Sequence, residues 1–195
     1  MTIAVREIGP EELDRYGQVS IAFDVREMLE VEGRDGGLGG LSLRLRPVEP
    51  PYRKDYDDPA TGELPSAWPR QFDVRNWAFF LAERDGQPVG AAAVAFDTPG
   101  VHMLAGRRDL AVLWDIRVSP DCRREGVGRM LFRRAGEWAR ARGCAQLKIE
   151  TQNINVAACR FYRAQGCHLG EINRYAYWLH PPVAHEVMLV WYLAL

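Results

Sequence analysis

Apolar positions change their period along this chain, and each change marks an element. Leu110-Ala-Val-Leu-Trp-Asp-Ile-Arg-Val118 is an apolar, β-branched run stopped by Ser119-Pro120, which predicts a buried strand. From Val127 the period lengthens. Val127, Leu131, Ala135 and Trp138 recur at helical spacing, Arg129, Arg133, Arg134, Arg140 and Arg142 fall on the opposite face, and Gly143 supplies the stop. A strand over Ala145–Thr151 follows, then a short helix opening near Asn155 and ending at Gly166.

The N-terminal half is less regular. Ile3–Glu7 predicts a first strand, and residues 11–32 carry apolar positions that predict one or two helices broken near Gly17. Asp35-Gly-Gly-Leu-Gly-Gly40 is a turn without the G-K-[ST] ending of a phosphate-binding P-loop. Leu41, Leu43 and Leu45 alternate with polar residues up to Pro47, as in a half-buried strand. Residues 48 to 70 and 97 to 109 read as loops. Between them Trp77–Arg84 and Pro88–Phe96 form a hairpin through Asp85-Gly86, a pair that tolerates positive φ at both centres.

Candidate chemistry enters at Arg123-Arg124-Glu125-Gly126-Val127-Gly128, which lies between the apolar strand and the amphipathic helix. A helix N-terminus offers unpaired N–H groups and the positive end of a dipole, and glycines let backbone close on phosphate oxygens. The stretch reads as a pyrophosphate cradle; a plain tight loop entering a helix has the same spacing.

The order strand, R-x-x-G-x-G, helix, strand and then Asn155-Val-Ala-Ala-Cys-Arg-Phe-Tyr162 resembles the GCN5-related N-acetyltransferases. Glu150 to Tyr162, with Gly166, Leu169-Gly170-Glu171-Ile172 and the distant Pro51-Tyr52-Arg53-Lys54-Asp55-Tyr56, is similar to their streptothricin (nourseothricin) branch. The resemblance covers roughly residues 41 to 192 and implies an α/β (α+β) fold; the length makes residues 1–195 one domain. Its sheet would be mixed and mostly antiparallel, with a central parallel strand pair splayed at an acetyl-coenzyme A site and helices on its faces. Acetyl-coenzyme A is then the implied co-substrate. It would be held by backbone at Ile116, Arg117 and Val118, by Arg123, Arg124, Glu125, Gly126, Val127, Gly128 and Arg129, and by Asn155, Ala158 and Tyr162.

Acetyl transfer from a thioester to an amine needs a polarised carbonyl, an amine relieved of its proton and a thiolate that gains one. In the family that this chain resembles, strand-edge N–H groups near Ile116–Val118 serve the first task. Tyr162 is the candidate acid: it shares a helix face with Asn155 and Cys159, and a phenol titrates close enough to a thiol to protonate it. The Phe161-Tyr162 pair also reads as plain core. Asp115 and Glu150 are the candidate bases, either directly or through water. Asp115 could instead pair with Arg117, two residues away on one strand face, and Glu150 could hold Lys148 or cap the following helix. Some relatives carry a carboxylate where this chain has Trp114, a departure that counts against Asp115 as the direct base; because most alkylamines are protonated at pH 7, deprotonation by solvent stays open.

For the acceptor, Tyr52, Asp55 and Tyr56, with Asp57, Asp58 and Glu63, gather acidic and aromatic groups suited to a cationic, polyhydroxylated amine. A solvated loop has the same composition. Trp114, with Trp68 and Trp77, lines either the acceptor cavity or the core. The implied activity is N-acetylation of a primary amine on a small molecule of the streptothricin type. The alternatives are a protein or peptide N-acetyltransferase and a non-catalytic acyl-coenzyme A-binding module.

Composition excludes more than it adds. The formal net charge is −1, with arginine balanced by carboxylates and lysine only at Lys54 and Lys148, which argues against nucleic acid. No run is long enough to span a bilayer and the N-terminus lacks a signal-peptide pattern, so a cytoplasmic protein without membrane partners is expected. Cys122, Cys144, Cys159 and Cys167 have no C-x-x-C spacing and the four histidines no paired ligand spacing, so no metal is expected. A homodimer is the remaining partner expectation, since Trp191-Tyr192 reads as a closing strand able to pack on a second subunit.

Overall fold

The main sheet of the computed structural model has seven strands, and the described residues are 2–58 and 64–195. In spatial order they are β1 (Ile3–Ile8), β4 (Ala78–Arg84), β5 (Gln87–Phe96), β6 (Leu110–Val118), β7 (Gln146–Gln152), β9 (Met188–Ala194) and β8 (His168–Asn173). The pairs β1–β4, β4–β5, β5–β6 and β8–β9 are antiparallel. The β6–β7 pair is parallel, and a parallel pair requires a crossover, supplied by α3 (Val127–Ala141). By Cα proximity the chain divides into two units: Met1–Ala22, Asp55–Ile149 and Leu193–Leu195 form the first, Phe23–Lys54 and Glu150–Tyr192 the second.

In the first unit the hairpin read from the sequence is present, and its turn residues Asp85 and Gly86 have φ of 50° and 77°. The alanines of β5 are fully buried. Ala91, Ala93 and Ala95 belong to the face away from α3, while Gly90 lies against Val127 and Leu131; Val127, Leu131, Ala135 and Trp138 of α3 are buried as their spacing predicted. On the other face Tyr16, Phe79, Leu81, Trp68 and Trp77 build an aromatic core under the short helices α1 (Leu13–Tyr16) and α2 (Trp68–Gln71). Each such side chain contributes about 1.5–3 kcal/mol by leaving water.

The expectation of helix over residues 11–32 is corrected. Helix α1 has only four residues, and Phe23–Gly33 is a strand, β2, paired antiparallel with β3 (Leu41–Lys54) in the second unit. Its apolar residues alternate with charged ones over Phe23–Arg26 and again over Leu29–Glu32, a strand period that Glu27 and Met28 interrupt. The half-buried strand expected to stop at Pro47 runs on through Lys54, so residues 48–54 are strand and not loop. Pro47 itself has a partner in register, Glu27, next to the irregularity between Val25 and Glu27. Helix α4 (Val156–Ala164) completes this unit.

Candidate active site

The cradle belongs to the first unit. Gly126 is the N-cap of α3 with φ of 88°, and Arg124 also has positive φ, 67°. These two left-handed residues turn the chain into the helix. Met130 donates to Gly126 O, which leaves the N–H groups of the three preceding helical residues, Val127, Gly128 and Arg129, outside the helix's own ladder. Arg84 pairs with Glu125, so the one acidic side chain of the loop is neutralised. Arg123 is tied down: its Nη2 donates to Ala22 O at 2.9 Å and its Nε to Val118 O at 3.3 Å. Arg124 and Arg129 are exposed.

Strand β6 enters this loop with an irregularity. Val94 faces Leu113 and Ala93 faces Asp115, so Trp114 is an extra residue, a β-bulge. The parallel ladder to β7 ends at Leu113–Ile149, whereas Asp115, Ile116, Arg117 and Val118 stay paired with β5. Beyond Leu113 the other edge of β6 has no ladder partner among the described residues, which suits it to a strand-like ligand.

The Arg117 side chain is only 1% exposed and cannot itself reach a ligand. It donates to Asp115 Oδ1 and Oδ2 at 2.9 and 2.7 Å, to Asp57 Oδ2 and Oδ1 at 2.6 and 3.2 Å, and to Val19 O at 3.2 Å. Burial works against its charge, but the two carboxylates outweigh it and hold the guanidinium above its ordinary pKa. Burial pushes the Asp57 carboxyl up against the pull of Arg117. Asp115 also accepts from Tyr16 Oη at 2.6 Å, and burial raises that phenol well above its ordinary range. The Asp115–Arg117 pairing that the sequence left open is therefore present.

Asp55 Oδ1 accepts from the Asp57 N–H at 3.0 Å, and Tyr56 is half-buried between them. Trp114 packs on Phe72 and Trp77 at ring distances of 5.1 and 5.2 Å, and Trp68 and Trp77 are core. Glu63 lies outside the described residues.

The second unit holds the remaining candidates. Asn155 caps α4, its Oδ1 accepting from the Ala158 N–H at 3.1 Å, so that donor is already used. The helix cap considered for Glu150 is thus Asn155. Tyr162 is 5% exposed, beside Phe161 and Trp191. Burial pushes the Cys159 thiol up to about 12, which makes it inert packing. Glu150 accepts from Tyr177 Oη at 2.6 Å, and Gln152 Nε2 donates to the same phenol at 2.8 Å. Tyr52 on β3 faces Val25, its phenol raised by burial and by the charge of Glu186. Glu186, 3% exposed, is held by Lys54 at 2.6 Å.

The sequence profile of the Acetyltransferase (GNAT) family matches residues 48–167. The chain belongs to this family. Streptothricin acetyltransferase from Escherichia coli is 31% identical over 183 residues, 94% of this chain and 91% of that protein. Nourseothricin acetyltransferase superposes with a TM-score of 0.76 at 24% identity, covering 100% of this chain and 99% of the other. A candidate streptothricin acetyltransferase from Bacillus anthracis str. Ames, solved in complex with acetyl coenzyme A, gives 0.74 at 25% identity over 100% and 98%. This GNAT chain is accordingly an acyltransferase with the mixed, mostly antiparallel sheet and single parallel strand pair that the resemblance implied.

Three participants escaped the sequence. Tyr16 carries no motif and reaches Asp115 from 99 residues away; Tyr177 reaches Glu150 across 27 residues; Glu186 lies in a segment with no period. Only Asp57, inside the Pro51–Asp58 stretch, had a signal.

Proposed function

We propose that this protein transfers the acetyl group of acetyl-coenzyme A to a primary amine of a small molecule of the streptothricin class. The observation that carries the transfer is the cradle: a row of helix N-terminal N–H groups, entered through two left-handed residues, with its one carboxylate neutralised by Arg84. The acceptor class is supported by the likeness to the Escherichia coli enzyme along nearly the whole chain. In this reading Gly126–Arg129 bind the pyrophosphate, and the unladdered edge of β6 at Ile116–Val118 binds the pantetheine and polarises the thioester. Tyr162 protonates the departing thiolate. Glu150 is preferred as the base, because a carboxylate held by a neutral phenol can still pair with a cationic amine, whereas Asp115 is committed to Arg117.

Release of free coenzyme A from acetyl-coenzyme A tests this against streptothricin, polyamines, an aminoglycoside and lysine peptides. Fast turnover of streptothricin is expected. Turnover of the peptides alone overturns the small-molecule acceptor, and no turnover with any amine overturns the reading. Tyr162→Phe should lower kcat by about 10²-fold or more, with acetyl-coenzyme A affinity unchanged; an unaltered kcat removes Tyr162 as the acid.

A further inference from the structure

We propose that Asp57 is a positioning residue for the acceptor amine, acting as a latch that fixes the chain leaving β3 onto β6 through Arg117. The inference rests on the acetyl-transfer reading above. Arg117 makes five donated hydrogen bonds, enough to use every N–H of a guanidinium, and four of them form two bidentate forks, one on Asp115 and one on Asp57. Asp115 is two residues away on the same strand, so that fork sets the arginine's own direction. The Asp57 fork crosses 60 residues and joins the Tyr56–Asp58 stretch to the strand end whose backbone faces the thioester.

The arginine also reaches Val19 O, and Arg123 of the cradle reaches Ala22 O, so the Val19–Ala22 stretch is held from both β6 and the cradle. Arg117 therefore joins three things: the strand edge, the stretch that anchors the cradle, and the segment bearing Asp55 and Tyr56. Of the hydrogen bonds that Arg117 donates, those to Asp57 are the ones that reach the last of these. With side chains 1% and 14% exposed, Arg117 and Asp57 are shielded from the screening that makes surface pairs weak. Asp57 spends both oxygens on Arg117. Its effect on the acceptor is then exerted through the placement of its neighbours and not by contact.

The test compares wild type, Asp57→Asn and Asp57→Glu in steady-state kinetics with streptothricin, and in deuterium exchange over residues 55–58. Asp57→Asn should raise the amine KM about tenfold, as one lost charged fork does, with the acetyl-coenzyme A KM within twofold and exchange faster at 55–58. Asp57→Glu keeps the charge but lengthens the arm, and should give an intermediate amine KM. Equal changes in both KM values, or no change in either, overturn the proposal. Faster exchange with an unchanged amine KM also overturns it, leaving a purely structural latch. If Asp57→Asn does not fold by circular dichroism, Asp57→Glu decides, and a wild-type amine KM there refutes the latch. Wild type that turns over no amine at all is a different failure: it removes the acetyl-transfer reading and this inference with it.

Discussion

A Cβ placed on Gly90 of β5 would lie 2.7 Å from Val127 Cγ1 and 3.0 Å from Leu131 Cδ1, so the sheet meets the first turns of α3 where only glycine fits. Gly90→Val should destabilise the protein by about 1–3 kcal/mol through overpacking. Because Val127 is the first residue of α3, the displaced helix should also weaken acetyl-coenzyme A binding. Thermal melting and equilibrium titration check both; an unchanged melting point and Kd would mean that the helix adapts.

Gly126 presents the opposite case. An added Cβ there meets nothing within 4 Å, but φ is 88°. Gly126→Ala should therefore cost about 1 kcal/mol in backbone strain, or roughly 2–4 °C in Tm for a chain of this size. Gly128→Val adds bulk inside the cradle and should raise the acetyl-coenzyme A Kd with a smaller loss of Tm. Isothermal titration separates the two variants, and equal Kd values would sink the cradle assignment.

The two candidate bases should part on substitution. Glu150→Gln should lower kcat by about 10²-fold while Tm barely moves. Asp115→Asn breaks a buried ion pair and should cost about 3–5 kcal/mol of stability. Denaturation curves run beside the rate assays tell them apart. A Glu150→Gln enzyme with full activity would return the base to Asp115 or to solvent.

In the second unit Glu186 is a buried carboxylate whose cation is Lys54, 2.6 Å away. Lys54→Met strands that charge and should cost about 3–5 kcal/mol, seen as a lower urea midpoint with an unchanged slope. The double variant with Glu186→Gln should recover part of the loss. Additive losses would show that the two residues do not act as a pair.

All four cysteines are buried, and burial pushes the Cys159 thiol up to about 12 and that of Cys167 up to about 11. Only thiolate reacts with alkylating reagents, and it forms as pH rises through the thiol's pKa. Mass spectrometry after iodoacetamide at pH 8 should find these two unmodified in the native protein and alkylated in urea. Native modification of Cys159 would contradict its burial.

The half of the chain that was legible is the half whose elements carry their own punctuation. Leu110–Val118 came out to the residue because Ser119-Pro120 stops it, α3 because Gly126 and Gly143 bracket one apolar stripe, and the β4–β5 hairpin because Asp-Gly admits few other turns. Residues 23–33 and 48–54 were misread for one reason: β2 and β3 form a two-stranded ribbon in which charged residues occupy both faces, so neither β2 nor the Val48–Lys54 part of β3 has a clean period. At the site, the cradle lies in one contiguous run. The partners of Arg117 and Glu150 do not, since Tyr16, Asp57 and Tyr177 are brought in by tertiary packing that no local spacing encodes.

The extra residue at Trp114 has a consequence for how this chain tolerates change. Val112 faces the aromatic core, and Asp115 and Arg117, of opposite parity, reach Tyr16 in that same core. Strict alternation through Trp114 would send them to the side covered by α3. Drawing Trp114 into the ladder would act on the strand as a frameshift acts on a gene: every residue intact, every side chain after it delivered to the wrong face.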